Sequence, residues 1–184
     1  MDGLTRKYCR ALSVLLEYPS ETPWEISGRL TALLREKEGE NKVEQPLSSL
    51  AKELRRLSLE ELRRDYVAIF DLKPEYSLGM AWHIHGDTPA QGRALAGLSV
   101  LYADAGYMLS DGALPDHLPV LLEFLSVAPE WAITAAGEGF LPQVEALGLR
   151  LSGTESVYAF VGQALAALAE VLLYKNAYNG GDDI

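Results

Sequence analysis

The chain has 184 residues, 48% of them apolar, with one cysteine, three histidines and a formal net charge of −10. That length suits one domain, the apolar fraction excludes a disordered chain, and a lone cysteine excludes a disulfide framework or a zinc-ribbon site. The acidic balance argues against nucleic-acid binding, whose affinity comes from Lys and Arg neutralising phosphates.

Helical spacing of apolar residues dominates from the start. Leu4, Tyr8, Leu12, Leu15 and Leu16 form one stripe that stops near Tyr18 and Pro19. Arg6, Lys7 and Arg10 ahead of the apolar run 11–16 imitate a signal peptide, but Glu17 ends the run and no small-residue cleavage site follows. Thr22-Pro23 reads as an N-cap followed by proline in the first turn, opening a helix along Trp24, Leu30, Leu33 and Leu34. The segment 36–46 is the most linker-like, though too short to divide the chain. Leu47, Leu50, Leu54 and Leu57 mark a third helix, and Ser58-x-x-Glu61 is a capping box for a fourth along Leu62, Tyr66, Ile69 and Phe70. Thr88-Pro89 repeats the cap-then-proline signal before Leu95, Leu98, Leu101 and Tyr102. Asp116 reads as the cap of a helix burying Leu118, Leu121, Leu122 and Leu125, because Pro119 is tolerated only in a first turn. Two further helices are predicted at about 140–150 and 155–177. No run alternates with period two, so the expected fold is all-α, one helical bundle of about eight helices spanning 1–184.

The run 157–174 is apolar except for Gln163 and Glu170. A glutamate is costly in a bilayer, and the alanine content suits close packing, so a buried central helix is expected, with no direct membrane insertion and a cytoplasmic location. The charge is unevenly placed: residues 1–73 balance thirteen cations against thirteen anions, whereas 74–184 carry three cations and thirteen anions. Such a region repels nucleic acid and anionic lipid and attracts a cationic partner, although an acidic surface also serves solubility.

Two segments hold residues that a plain bundle does not need. The first, 71–89 (DLKPEYSLGMAWHIHGDTP), is a long connection with two of the three histidines; the second, 114–119 (LPDHLP), sets Asp116 and His117 between two prolines. His83, His85 and Asp87 repeat the H-x-H-x-D start of a metallo-β-lactamase signature, and His117 could add an imidazole, which gives a metal-dependent hydrolase as the alternative reading. Thr88 replaces the final histidine of that signature. The local reading is plainer: Asp87 or Thr88 caps the next helix, Gly86 supplies a positive φ, and His85 ties the loop to a carboxylate or carbonyl. There is no P-loop, G-x-G-x-x-G or G-x-S-x-G, and Cys9 has no histidine near it in sequence. The residues suit binding better than chemistry.

At these segments the sequence resembles a known family. L-L-E-Y-P at 15–19, Y-x-x-x-F-D at 66–71, H-x-H-G-D at 83–87 and L-P-D-H-L-P-x-x-L-E-F-L at 114–125 stand in this order. The combination resembles the cytoplasmic assembly chaperones of molybdenum oxidoreductases, in the nitrate reductase (NarJ-like) branch of the TorD/DmsD-type group. The resemblance implies a non-enzymatic, all-helical chaperone without a cofactor of its own. Its partner would be the apo catalytic subunit of a nitrate reductase or a related molybdenum enzyme, held through a basic or amphipathic N-terminal segment, often a twin-arginine-type leader. The client would then receive its molybdopterin guanine dinucleotide before membrane docking or export. By position, Tyr66, Phe70 and Asp71 match the family's helix motif, His85, Gly86 and Asp87 its loop, and Asp116, His117 and Glu123 its P-D-H helix. The expected groove lies between 71–89 and the helix starting at Asp116, with Asp87, Asp116 and Glu123 meeting client cations. Members of the wider group occur as monomers or helix-swapped dimers. Enterobacterial relatives have two basic residues in the loop where this chain has Pro89 and Gln91, glutamates at Trp82 and Ala113, and a tail beyond Ile184.

Overall fold

The computed structural model describes residues 1–35 and 41–179, with side chains for 1–34 and 41–174; positions 36–40 of the linker-like segment lie outside it. Among the described residues the secondary structure is helical: α1 (Gly3–Leu15), α2 (Pro23–Arg35), α3 (Glu44–Leu54), α4 (Leu59–Tyr66), a π-helical turn (Val67–Asp71), a 3₁₀ turn (Pro74–Tyr76), α5 (Met80–His85), α6 (Pro89–Asp104), α7 (Leu118–Val127), α8 (Glu130–Ser152) and α9 (Tyr158–Asn179). The all-α expectation holds, with one more α-helix than the eight read from sequence, because 80–85 within the long connection is itself helical.

α8 and α9 form the central pair. Along 158–174 of α9 only Gln163, Glu170 and Tyr174 are exposed, so the helix is surrounded by protein, as its composition predicts. No described helix is long and apolar enough to cross a membrane. The pair meets at two glycines: a Cβ on Gly148 would stand 2.6 Å from the Ala166 amide nitrogen, and one on Gly162 would stand 2.6 Å from that of Ser152. Backbone touches backbone there, and only glycine leaves the room. Asp65 reaches from α4 to the start of α9, accepting hydrogen bonds from Ser156 Oγ (2.7 Å) and Val157 N (3.1 Å).

The outer helices dock on this pair. α3 packs on both α9 and α2; α1 packs on α7 and, less extensively, on α9; α5 and α6 cover part of α8. The Ser58/Glu61 capping box forms as the sequence indicates, and the Thr22 cap proves to be a second box with Glu25, each carboxylate accepting the cap residue's own N–H. Leu57 falls beyond the end of α3, and Glu44 to Pro46 belong to its first turn. α8 begins ten residues before the predicted start and keeps Pro142 in its interior.

Candidate functional site

The site is built where 66–82 meets 114–118. α4 places Leu62 and Tyr66 on the core, and the π-helical turn, closed by Leu72 N–H to the Val67 carbonyl at 3.1 Å, holds one residue more than an α-turn. Ile69 and Phe70 are both buried, and Asp71 is left exposed at the end. Tyr66 and Phe70 stack on each other (4.8 Å between ring centroids), on Tyr158 (5.9 and 5.0 Å) and, through Tyr66, on Tyr18 (5.5 Å). Tyr66 Oη donates to the Leu16 carbonyl, and burial, with Asp71 and Glu17 nearby, pushes its hydroxyl up to about 12.

The two loops are stapled by their backbones. Met80 N–H donates to the Asp116 carbonyl (3.1 Å) and Leu118 N–H to the Leu78 carbonyl (2.8 Å), forming an antiparallel bridge between Gly79 and His117. The Asp116 carboxylate, only 2% exposed, accepts from Ala81 N–H at 3.0 Å. Asp116 therefore caps α5, thirty-five residues away, and not α7; the α7 N-cap is His117, whose side chain makes no cap bond. The free N–H groups of two helix starts are satisfied crosswise. Tyr102 Oη anchors the same segment by donating to the Pro115 carbonyl (2.7 Å).

These contacts frame a cleft of about 430 Å³. Tyr66, Phe70, Asp71, Asp116 and His117 line it, joined by Trp82 of α5, Leu95 of α6 and Leu114. Trp82 and Leu114 remain exposed. The lining contains two carboxylates and no Lys or Arg. Its imidazole, His117, is held below its ordinary pKa by burial, against the opposing pull of Glu17 and Asp116.

The other sequence candidates lie elsewhere. His85, Gly86 and Asp87 form the end of α5 and the turn into α6; Gly86 has φ of +58°, as expected, and its N–H closes on the Trp82 carbonyl. Neither Asp87 nor Thr88 caps α6 by its side chain; Thr88 Oγ1 instead donates to the His85 carbonyl. The histidine that ties the loop to a carbonyl is His83, whose Nε2 pairs with Ser77 O at 2.7 Å, and not His85. Glu123 is engaged by Arg10 and by Tyr107 Oη at the α1–α7 seam, so it does not face the cleft. His83 and His85, two apart on a helix, point to different sides, and no three His, Cys, Asp or Glu among the described residues converge as metal ligands. The ligand set of the hydrolase reading does not assemble. Cys9 is fully buried, its thiol pushed up to about 12 by that burial, which leaves no nucleophile there. Sequence reasoning missed Leu95 as a wall residue and noted Trp82 only as a departure; a tryptophan directly before the H-x-H motif was the available signal.

Residues 36–151 match a family model described as the nitrate reductase delta subunit. The nitrate reductase molybdenum cofactor assembly chaperone NarJ of Escherichia coli (strain K12) is 28% identical over 163 residues, 88% of this chain and 69% of that protein. A second protein of that strain, described as the assembly chaperone NarW, is 31% identical over 163 residues, 87% of this chain and 67% of its own length. The protein of Bacillus subtilis (strain 168) described as NarJ is 28% identical over 170 residues, 92% of each chain. In fold, the chain is similar to a crystal structure from Archaeoglobus fulgidus described as a redox enzyme maturation protein, with a TM-score of 0.61 and 23% identity over 90% of this chain and 93% of that one.

Proposed function

The chain belongs to the nitrate reductase delta subunit family, and from that premise we propose that it is a non-catalytic molybdenum cofactor assembly chaperone for a nitrate reductase, acting in the cytoplasm on the apo catalytic subunit. Its names among relatives are those of assembly chaperones. The cleft of 66–82 and 114–118 takes the N-terminal segment of that subunit and holds it while the client receives its molybdopterin guanine dinucleotide, before membrane docking or export. The cofactor is the client's cargo.

The observation that carries this reading is the cleft lining: aromatic and aliphatic walls with two carboxylates and no Lys or Arg. A basic amphipathic helix matches it, its apolar face against Phe70, Trp82, Leu95 and Leu114 and its cations towards Asp71 and the rim. The exposed side chains Trp82 and Leu114 are the anchors, since a few apolar residues carry most of a peptide's binding energy. A micromolar complex corresponds to about −8 kcal/mol, within reach of two or three such anchors plus charge complementarity. The charged part weakens with salt, because exposed charges are screened over about 8 Å at physiological ionic strength.

Titration calorimetry with the synthetic N-terminal peptide of the cognate catalytic subunit tests this. Micromolar binding at low salt is expected, with a loss of tenfold or more for both Trp82→Ala and Leu114→Ala. No binding at low salt, or binding indifferent to both substitutions, overturns the assignment of the cleft.

A further inference from the structure

A groove of opposite charge to the cleft lies between α1 and α2. Lys7, Arg10, Ala11 and Val14 follow the i, i+3, i+4, i+7 pattern along α1, and Ile26, Arg29, Leu30 and Leu33 repeat it along α2. Both faces border one groove of about 340 Å³. Yet α1 docks on α7 and α9 while α2 docks on α3, and the two helices do not pack closely on each other. Of the α2 stripe only Leu30 is buried, and Val14 is 40% exposed. The eight residues of each wall span about 10 Å, two helical turns.

We propose that this groove docks an acidic amphipathic helix from a partner protein, about two to three turns long, with carboxylates flanking its apolar stripe. Charge complementarity selects that occupant. The groove's charged lining residues are Lys7, Arg10 and Arg29, and no carboxylate among the described residues lines it. Arg10 pairs with Glu123 and Arg29 with Glu21, outside the groove. Both pairs are more than a third exposed on each side, and such pairs contribute little, so a partner's carboxylate joins them without breaking a strong contact. The concave shape suits a helix better than the plane of a bilayer. A basic segment, suited to the cleft bordered by Asp71, is repelled here, so the two surfaces sort segments by sign of charge.

The test uses the full chain and a rhodamine-labelled 14-residue peptide with leucines at i, i+3, i+4 and i+7 and glutamates on both flanks, beside its lysine counterpart. Anisotropy gives affinity and amide NMR shifts give the site. The expected result is saturable binding of the glutamate peptide at low salt with shifts on α1 and α2. It should weaken at least tenfold on Val14→Glu, a change at an exposed position, and on the second variant Ala11→Glu, while the N-terminal client peptide binds both variants unchanged. Five outcomes overturn the proposal: no saturation, equal affinity of both peptides for the groove, shifts confined to the cleft, sedimentation showing self-association that Val14→Glu abolishes, or phosphatidylserine-vesicle binding that Val14→Glu abolishes. Because the client peptide is read in the same variants, failure of the cleft and failure of the groove are separate results.

Discussion

Asp116 and Glu123 show how far a residue's role reaches beyond its neighbours in sequence. An aspartate two residues before a helix and three before a proline reads locally as that helix's cap. Its carboxylate instead holds Ala81 N–H, and nothing near position 116 announces a partner thirty-five residues upstream. Glu123 sits at a motif position yet is occupied by Arg10 and Tyr107, contacts set by how α1 meets α7. Asp116→Ala leaves a buried N–H unsatisfied and should cost about 1–3 kcal/mol in urea denaturation, with Asp116→Asn recovering most of it by keeping an acceptor oxygen. His117 gives a pH signature. Its folded pKa is depressed by burial, so its contribution to stability is present above the unfolded value of about 6.5 and is lost as pH falls through the folded value. Urea midpoints measured from pH 7.5 to 5 should fall more steeply for the wild type than for His117→Gln; parallel slopes would refute this.

Helices with an apolar stripe and a cap were legible; helices defined by their surroundings were not. α2 and α4 carry a capping box and a stripe, and both start where the sequence places them. α5 is six residues long, has no side-chain cap of its own and exists because Asp116 supplies one from α7's approach segment. The first turns of α8 were missed, and Pro142 lies inside the helix. In the interior it removes the N–H that the Glu138 carbonyl would accept, at a position exposed to solvent. The α8–α9 contact yields a paired prediction. Gly148→Ala or Gly162→Ala drives a methyl into facing backbone and should destabilise by about 1–3 kcal/mol or more. Gly139→Ala, in the same helix with open space around it, should stabilise by about 0.5–1 kcal/mol through helix propensity. Thermal melts of the three variants check the ordering.

For the whole molecule, the acidic excess and the cleft turn out to be only loosely connected. Of the thirteen anions in 74–184, Asp116 lines the cleft, and its other carboxylate, Asp71, comes from the charge-balanced part of the chain. Asp104, Asp111, Glu130, Glu138, Glu155 and Glu170 are exposed away from it. Composition revealed the sign of the field, while the position of the cleft required the crossing of two loops. We propose that the chain forms a single domain, because α9 is covered by α1, α3 and α8 together. Far-ultraviolet and aromatic circular dichroism should then trace one coincident urea transition, and separated midpoints would show two units.

The crosswise staple has a use as a clock. Met80 and Leu118 each donate the first amide of a helix, a position that ordinarily exchanges quickly with solvent, yet both are bonded across the site. Their deuterium uptake therefore times the parting of the two loops, while Val144 and Leu165, buried in the middle of α8 and α9, time the loss of the fold. In a chain pulsed with deuterium, Met80 and Leu118 should exchange together and well before Val144 and Leu165. Adding client peptide should slow the first pair and leave the second unaltered.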